Sequence, residues 1–146
     1  MKLLDDVVGQ IQLEAGARKV GIDFRRFVDG PVVRYVFEVD ITGTLDTVGV
    51  EVEFGPRGSD RPAIRVDGPE CLRHRWDDGT ICVWDPDDPV ERRWVLADGF
   101  EALRNHIQLH AFCEEECRQG GRWLKPESDN PHPRKKSCAS CHGKGN

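Results

Sequence analysis

The sequence predicts an α+β protein: an N-terminal helix, a four-stranded antiparallel meander sheet, a long loop and a C-terminal helix. Three observations carry that prediction. Apolar and polar residues alternate through 33–41 and 48–54, as strands with one wet face require. Apolar residues recur at helical spacing before and after that stretch. From Gly68 to Trp94 regular alternation stops, and Asp, Pro, Gly and Trp dominate. A run of strands flanked by helices packs as a sheet with its helices segregated on one side.

Taken in order, Leu4, Val7, Val8 and Ile11 place an amphipathic helix over residues 2–16, closed near Gly16. Gly30-Pro31 marks a turn, so residues 20–28 become the hairpin partner of the strand that follows. In that strand Val33, Tyr35, Phe37, Val39 and Ile41 share one face, and Val36 is the one apolar residue on the other. Val48, Val50, Val52 and Phe54 alternate with Glu51 and Glu53 in a third strand. A Gly-Pro-Arg-Gly-Ser-Asp-Arg-Pro loop precedes a short fourth strand at Ile64 and Val66. Three tryptophans in the long loop (Trp76, Trp84, Trp94) predict that it is packed, with their rings as its cover. Asp98 reads as the N-cap of the last helix, whose apolar stripe is Phe100, Leu103, Ile107 and Ala111 and which ends before Gly120-Gly121. Residues 125–146, with Pro126, Pro131 and Pro133, read as an irregular tail.

Bulk properties exclude several functions. A chain of 146 residues is most simply one domain with a real core. Its net charge of -5 argues against a general nucleic-acid binder, and the short basic run at Arg134–Lys136 reads as a solvated tail. The opening Met-Lys-Leu-Leu-Asp-Asp builds no signal-peptide core, and no apolar run reaches membrane-spanning length. A cytoplasmic chain is therefore expected, without nucleic-acid or membrane partners. There, six cysteines are expected to be free, metal-bound or catalytic before they are disulfide-bonded.

The segment His74-Arg-Trp-Asp-Asp-Gly-Thr-Ile-Cys82-Val-Trp84 carries the chemistry. It sets a histidine, an acidic turn ending at Gly79 and a cysteine in one short loop, where a thiolate can meet a second macromolecule. Two readings of Cys82 stand side by side: a nucleophile, or a small buried apolar residue. Asp85, Asp87 and Asp88 form an Asp-Pro turn that also offers carboxylates to an incoming amine. His74 reads as a structural histidine bonding the loop backbone before it reads as a general base, and Cys71 is expected to pack.

On these residues the chain resembles the ubiquitin-conjugating enzyme superfamily. Gly79-Thr80-Ile81-Cys82-Val83 is similar to that family's Gly-x-Ile/Leu-Cys-Leu active-site segment, and His74 stands where the family has the histidine of its His-Pro-Asn element. The element order matches from residue 2 to about residue 119. The short spacing from His74 to Cys82 resembles a compact bacterial branch found in anti-phage (CBASS) operons beside cyclic-oligonucleotide synthases. Gly121-Arg-Trp123-Leu-Lys-Pro with Pro131-His132-Pro133 resembles that branch's ending. The resemblance implies a ubiquitin-conjugating-like domain over residues 1–124 and a thioester on Cys82, with His74 and Asp85 in the same site. It also implies an activating enzyme as partner, and a ubiquitin-like protein or nucleotide synthase as the carried protein. No organic cofactor is implied. One departure stands out: the family's asparagine, which supports the oxyanion during attack by an amine, has no counterpart, since Arg75 and Trp76 follow His74. The same fold without aminolysis would serve as an inactive adaptor.

A second group of cysteines has ligand spacing. Cys113 and Cys117 stand four apart on the last predicted helix and so face one way. Cys138 and Cys141 form a Cys-x-x-Cys knuckle. Two such pairs suit a closed structural zinc site that would tie the tail to the helix, with His110 and His142 as substitute ligands. The plain alternative is one pair packed in the helix and one in a frayed tail. Cys138-Ala-Ser-Cys141-His142 also fits a haem c attachment pattern, which is rejected because Met1 is the only methionine and no export signal is seen. A redox dithiol usually sits at a helix start after a strand, which a terminal tail does not provide.

Overall fold

The computed structural model describes residues 6–55, 62–67, 75, 78–81, 83–84 and 88–120. Helix α1 (Val7–Lys19) leads into strands β1 (Arg25–Asp29), β2 (Val32–Asp40), β3 (Thr47–Phe54) and β4 (Ala63–Val66), and helix α2 (Gly99–Arg118) follows. The sheet is a four-stranded antiparallel meander in the order β1-β2-β3-β4. Its register sets Tyr35 opposite Val52, Phe37 opposite Val50 and Val39 opposite Val48, so one face is continuously apolar. Val33, Tyr35, Phe37 and Val39 are buried with Val50, Val52, Phe54, Ile64 and Val66, as the period of two predicts.

Both helices lie on that face. Phe100 of α2 meets the ring of Phe37 edge-on at 5.1 Å. Glu14 of α1 takes the hydroxyl hydrogen of Tyr35 at 3.0 Å. On α2 the predicted stripe holds: Phe100, Leu103, Ile107 and Ala111 are buried. The helix stops at Arg118, and Gly120 (φ 89°) turns the chain where only glycine does so cheaply.

Helix α1 corrects the sequence reading twice. It does not close at Gly16 but runs to Lys19, ending in a Schellman motif. There Gly21 N–H donates to Arg18 C=O and Ile22 N–H to Ala17 C=O, with Gly21 at φ 75°. Its apolar stripe also faces the wrong way: Val7, Val8 and Ile11 are exposed, and Gly9, Leu13, Glu14 and Ala17 are buried. The cause is close approach. A Cβ on Gly9 would lie 2.5 Å from Leu96 Cδ2, and one on Gly16 would lie 3.3 Å from Phe100 Cβ. Small residues therefore make the seam against α2, and Gly16 serves packing, not termination.

Asp98 stands at the predicted cap position, but its side chain bonds elsewhere. It makes no capping bond to α2 and instead accepts from Val95 N–H at 2.9 Å. That bond closes the 3-10 turn Leu96–Asp98 immediately before the helix.

Glu14 and Tyr35 form a buried polar contact in this core, with Arg26 on the carboxylate at 2.8 Å. Burial, then the hydrogen bond to Glu14 and the charge of Glu14, push the Tyr35 phenol well above its ordinary value and outweigh Arg26. A phenol whose folded value is raised holds its proton after the unfolded chain has lost one. Stability is thus full below the unfolded value of 10.0 and falls as pH rises beyond it. Tyr35 is the only tyrosine, so the ultraviolet tyrosinate band reports it alone. The expected titration shows no step near the ordinary phenol value and one sharp step together with loss of the circular dichroism signal. A smooth step preceding unfolding would contradict it.

Candidate functional site

Cys82, His74 and Asp85 lie outside the described residues, as do Asp87, Cys71 and Trp76. What the structure describes is the frame around them. Asp78 accepts from Thr80 N–H at 3.0 Å and from its hydroxyl at 2.7 Å, while Gly79 takes φ 86°. This is an Asx-type turn, and its composition explains it: a short acceptor side chain two residues ahead of its donor, with glycine between. Partial burial opposes ionisation of Asp78, yet the Thr80 bonds and then the charge of Arg65 hold its carboxyl below the usual range.

The turn brings Arg75 and Ile81 together as an antiparallel bridge, and Ile81 N–H donates to Ile64 C=O of β4 at 2.8 Å. Beyond it Ile81, Val83 and Trp84 are all buried. Trp84 packs edge-on against His106 of α2 at 5.4 Å and lies 6.4 Å from Trp94. A recess of about 30 Å3 is lined by Pro62, Ile64, Thr80, Ile81, Val83 and Trp84. The residues on either side of Cys82 are therefore buried apolar side chains. Trp84 and Trp94 are the expected loop covers.

Sequence reasoning missed the charged cluster beneath this frame. Arg75, read only as a departure from a family pattern, turns inward. Its Nε and Nη2 donate to the two oxygens of Glu114, each at 3.0 Å, and Nη1 donates to Val66 C=O at 3.2 Å. His110 Nε2 lies 3.0 Å from Glu114 Oε1, one helical turn earlier on α2. Arg75, Glu114 and His110 are 7%, 4% and 0% exposed. Burial raises the cost of ionising Glu114, but the hydrogen bond and charge of His110, then those of Arg75, hold its carboxyl below the usual range. A signal was present: Glu114 stands seven residues after Ile107 and three after Ala111, on the same buried stripe. Its place in a Glu-Glu-Glu run disguised it as solvated surface.

Of the four expected zinc ligands, Cys138 and Cys141 lie outside the described residues. Cys113 and Cys117 do face one way, both fully buried. Cys113 is a thiol, whereas Cys117 is disulfide-bonded, an exception to the redox state expected from the sequence. A half-cystine offers no thiolate, so that bond and a zinc–sulfur bond are alternative states of one atom. Among the described residues, no helix is long and apolar enough to cross a membrane. Comparison with protein-family models, with curated proteins and with solved structures finds no match for the chain.

Proposed function

We propose that this chain is a ubiquitin-conjugating-like cysteine acyltransferase. It carries the C-terminus of another protein as a thioester on Cys82 and passes it to an amine, in bacterial antiviral defence. One observation carries the reading: Gly79-Thr80-Ile81-Cys82-Val83 falls between a four-stranded meander and a helix packed on its buried face, with Ile81 and Val83 buried on either side of the cysteine. The Cys82 thiolate attacks the activated carbonyl, and a sulfur–carbon bond forms as the activating enzyme's own bond breaks. An amine nitrogen then attacks that thioester, the sulfur leaves as thiolate, and the amine proton passes to a carboxylate such as Asp85. In this reading the part of His74 is to bond the loop backbone. The partners are an activating enzyme and a carried ubiquitin-like protein or nucleotide synthase, in the cytoplasm.

Incubation with activating enzyme, ATP and the carried protein is expected to give a reductant-sensitive adduct that Cys82→Ala abolishes. An adduct that persists unchanged in Cys82→Ala would sink the reading.

A second reading has one observation in its favour. The position after His74, where the family has no arginine, is filled by a guanidinium committed to Glu114 and Val66. Arg75 thus supplies no oxyanion donor. An adaptor that binds a ubiquitin-like partner without aminolysis fits that arrangement. Its mark would be a Cys82 thiol inert to alkylation in the native protein and reactive once unfolded.

In the reduced chain, Cys113, Cys117, Cys138 and Cys141 would hold one structural zinc ion. Metal analysis after purification under reductant is expected to give one equivalent, lost in Cys138→Ser. A chain that binds none in reductant overturns this part.

A further inference from the structure

We propose that Arg75, Glu114 and His110 form a positioning cluster that fixes the register of the Cys82 segment against α2, a role that rests on the Cys82 transfer reading. Taking ions out of water is costly even after the surroundings relax. A methionine against a leucine would hold loop to helix without that cost. What the ion pair adds is direction: a planar guanidinium fork on a carboxylate fixes distance and orientation together, where an apolar contact slides. The constraint has a short path to the cysteine. Arg75 is bridged to Ile81, the residue next to Cys82, and Ile81 is bonded to β4. The remaining guanidinium donor reaches Val66 C=O, the last residue of β4. One carboxylate on α2 therefore gathers both arms of the turn and the end of the sheet. His110, on the same oxygen as Arg75 Nε, holds that carboxylate in place from its own helix.

The test compares the full chain with Arg75→Lys, Glu114→Gln and the double variant Arg75→Met with Glu114→Leu. Two readouts are taken: the urea midpoint, and the iodoacetamide alkylation rate of Cys82 resolved by peptide mass spectrometry. The double variant is expected to keep or raise the midpoint, while its Cys82 alkylation rate shifts severalfold and thioester loading falls by about tenfold or more. Arg75→Lys, which keeps the charge and loses the fork, should shift alkylation in the same direction. A folded double variant with the Cys82 alkylation rate of the parent overturns the proposal, whatever its midpoint. Should that variant fail to fold, Glu114→Gln carries the comparison, and an unchanged alkylation rate in the folded Gln variant overturns it equally. Alkylation needs no activating enzyme. A parent chain that never accepts an acyl group would defeat the transfer reading while the positioning result stays legible.

Discussion

Trp94→Ala is expected to lower stability by about 3–5 kcal/mol, a large share of the roughly 5–15 kcal/mol that holds a domain folded. Trp94 is among the largest fully buried side chains, and its ring lies 6.1 Å from Phe54 at the end of β3 and 6.4 Å from Trp84. Its indole N–H donates to Gly99 C=O at 2.8 Å, at the first residue of α2. Truncation therefore removes more than apolar area. It opens a cavity where sheet, loop and helix meet, and it strips a partner from a partly buried carbonyl. Trp94→Phe separates the two effects. It keeps most of the volume and loses the bond, at a cost of about 1 kcal/mol for the bond. Urea unfolding followed by far-ultraviolet circular dichroism measures both, and a Trp94→Ala midpoint equal to that of the parent would show that neighbouring rings close the gap.

The sheet was legible because an antiparallel strand with one wet face writes its geometry as alternation. Val33 to Val39 and Val48 to Phe54 are buried residue for residue as that alternation demands. The α2 stripe was legible for the same reason at a different period. Helix α1 was not, because its contact is made by what glycine lacks. Hydrophobic spacing favours Val7, Val8 and Ile11, but the close approach of Leu96 to Gly9 and of Phe100 to Gly16 turns inward the face that carries Leu13 and Ala17. The site divides in the same way. Burial of Ile81, Val83 and Trp84 follows from their apolar character, whereas the inward turn of Arg75 and Glu114 depends on a partner 39 residues away. Charge in a sequence reads as surface until its counter-charge is known to share the same interior.

That counter-charge sets the second large effect. Glu114→Ala is expected to destabilise the protein by about 3–5 kcal/mol, as removal of one partner from a buried pair does. The arithmetic lies in what remains. The Arg75 guanidinium would be left in a site where it is 7% exposed, with Val66 C=O its one remaining acceptor among the described residues. His110, fully buried, loses its contact with the Glu114 carboxylate. The penalty is therefore the cost of a stranded guanidinium and not the worth of the bonds. Two comparisons separate these. Removing charge and counter-charge together, in Arg75→Met with Glu114→Leu, should recover most of the loss, since apolar replacements of similar volume are often neutral or stabilising. Glu14→Ala should cost less, because Arg26, its partner at 2.8 Å, has a side chain 45% exposed and can return to water. The ordering expected from urea midpoints is Glu114→Ala lowest, Glu14→Ala intermediate, and the apolar double variant near the parent. If Glu114→Ala and the double variant fall equally, the loss belongs to packing around α2. If Glu114→Ala alone falls, Arg75 is a charge that this fold tolerates only while Glu114 faces it.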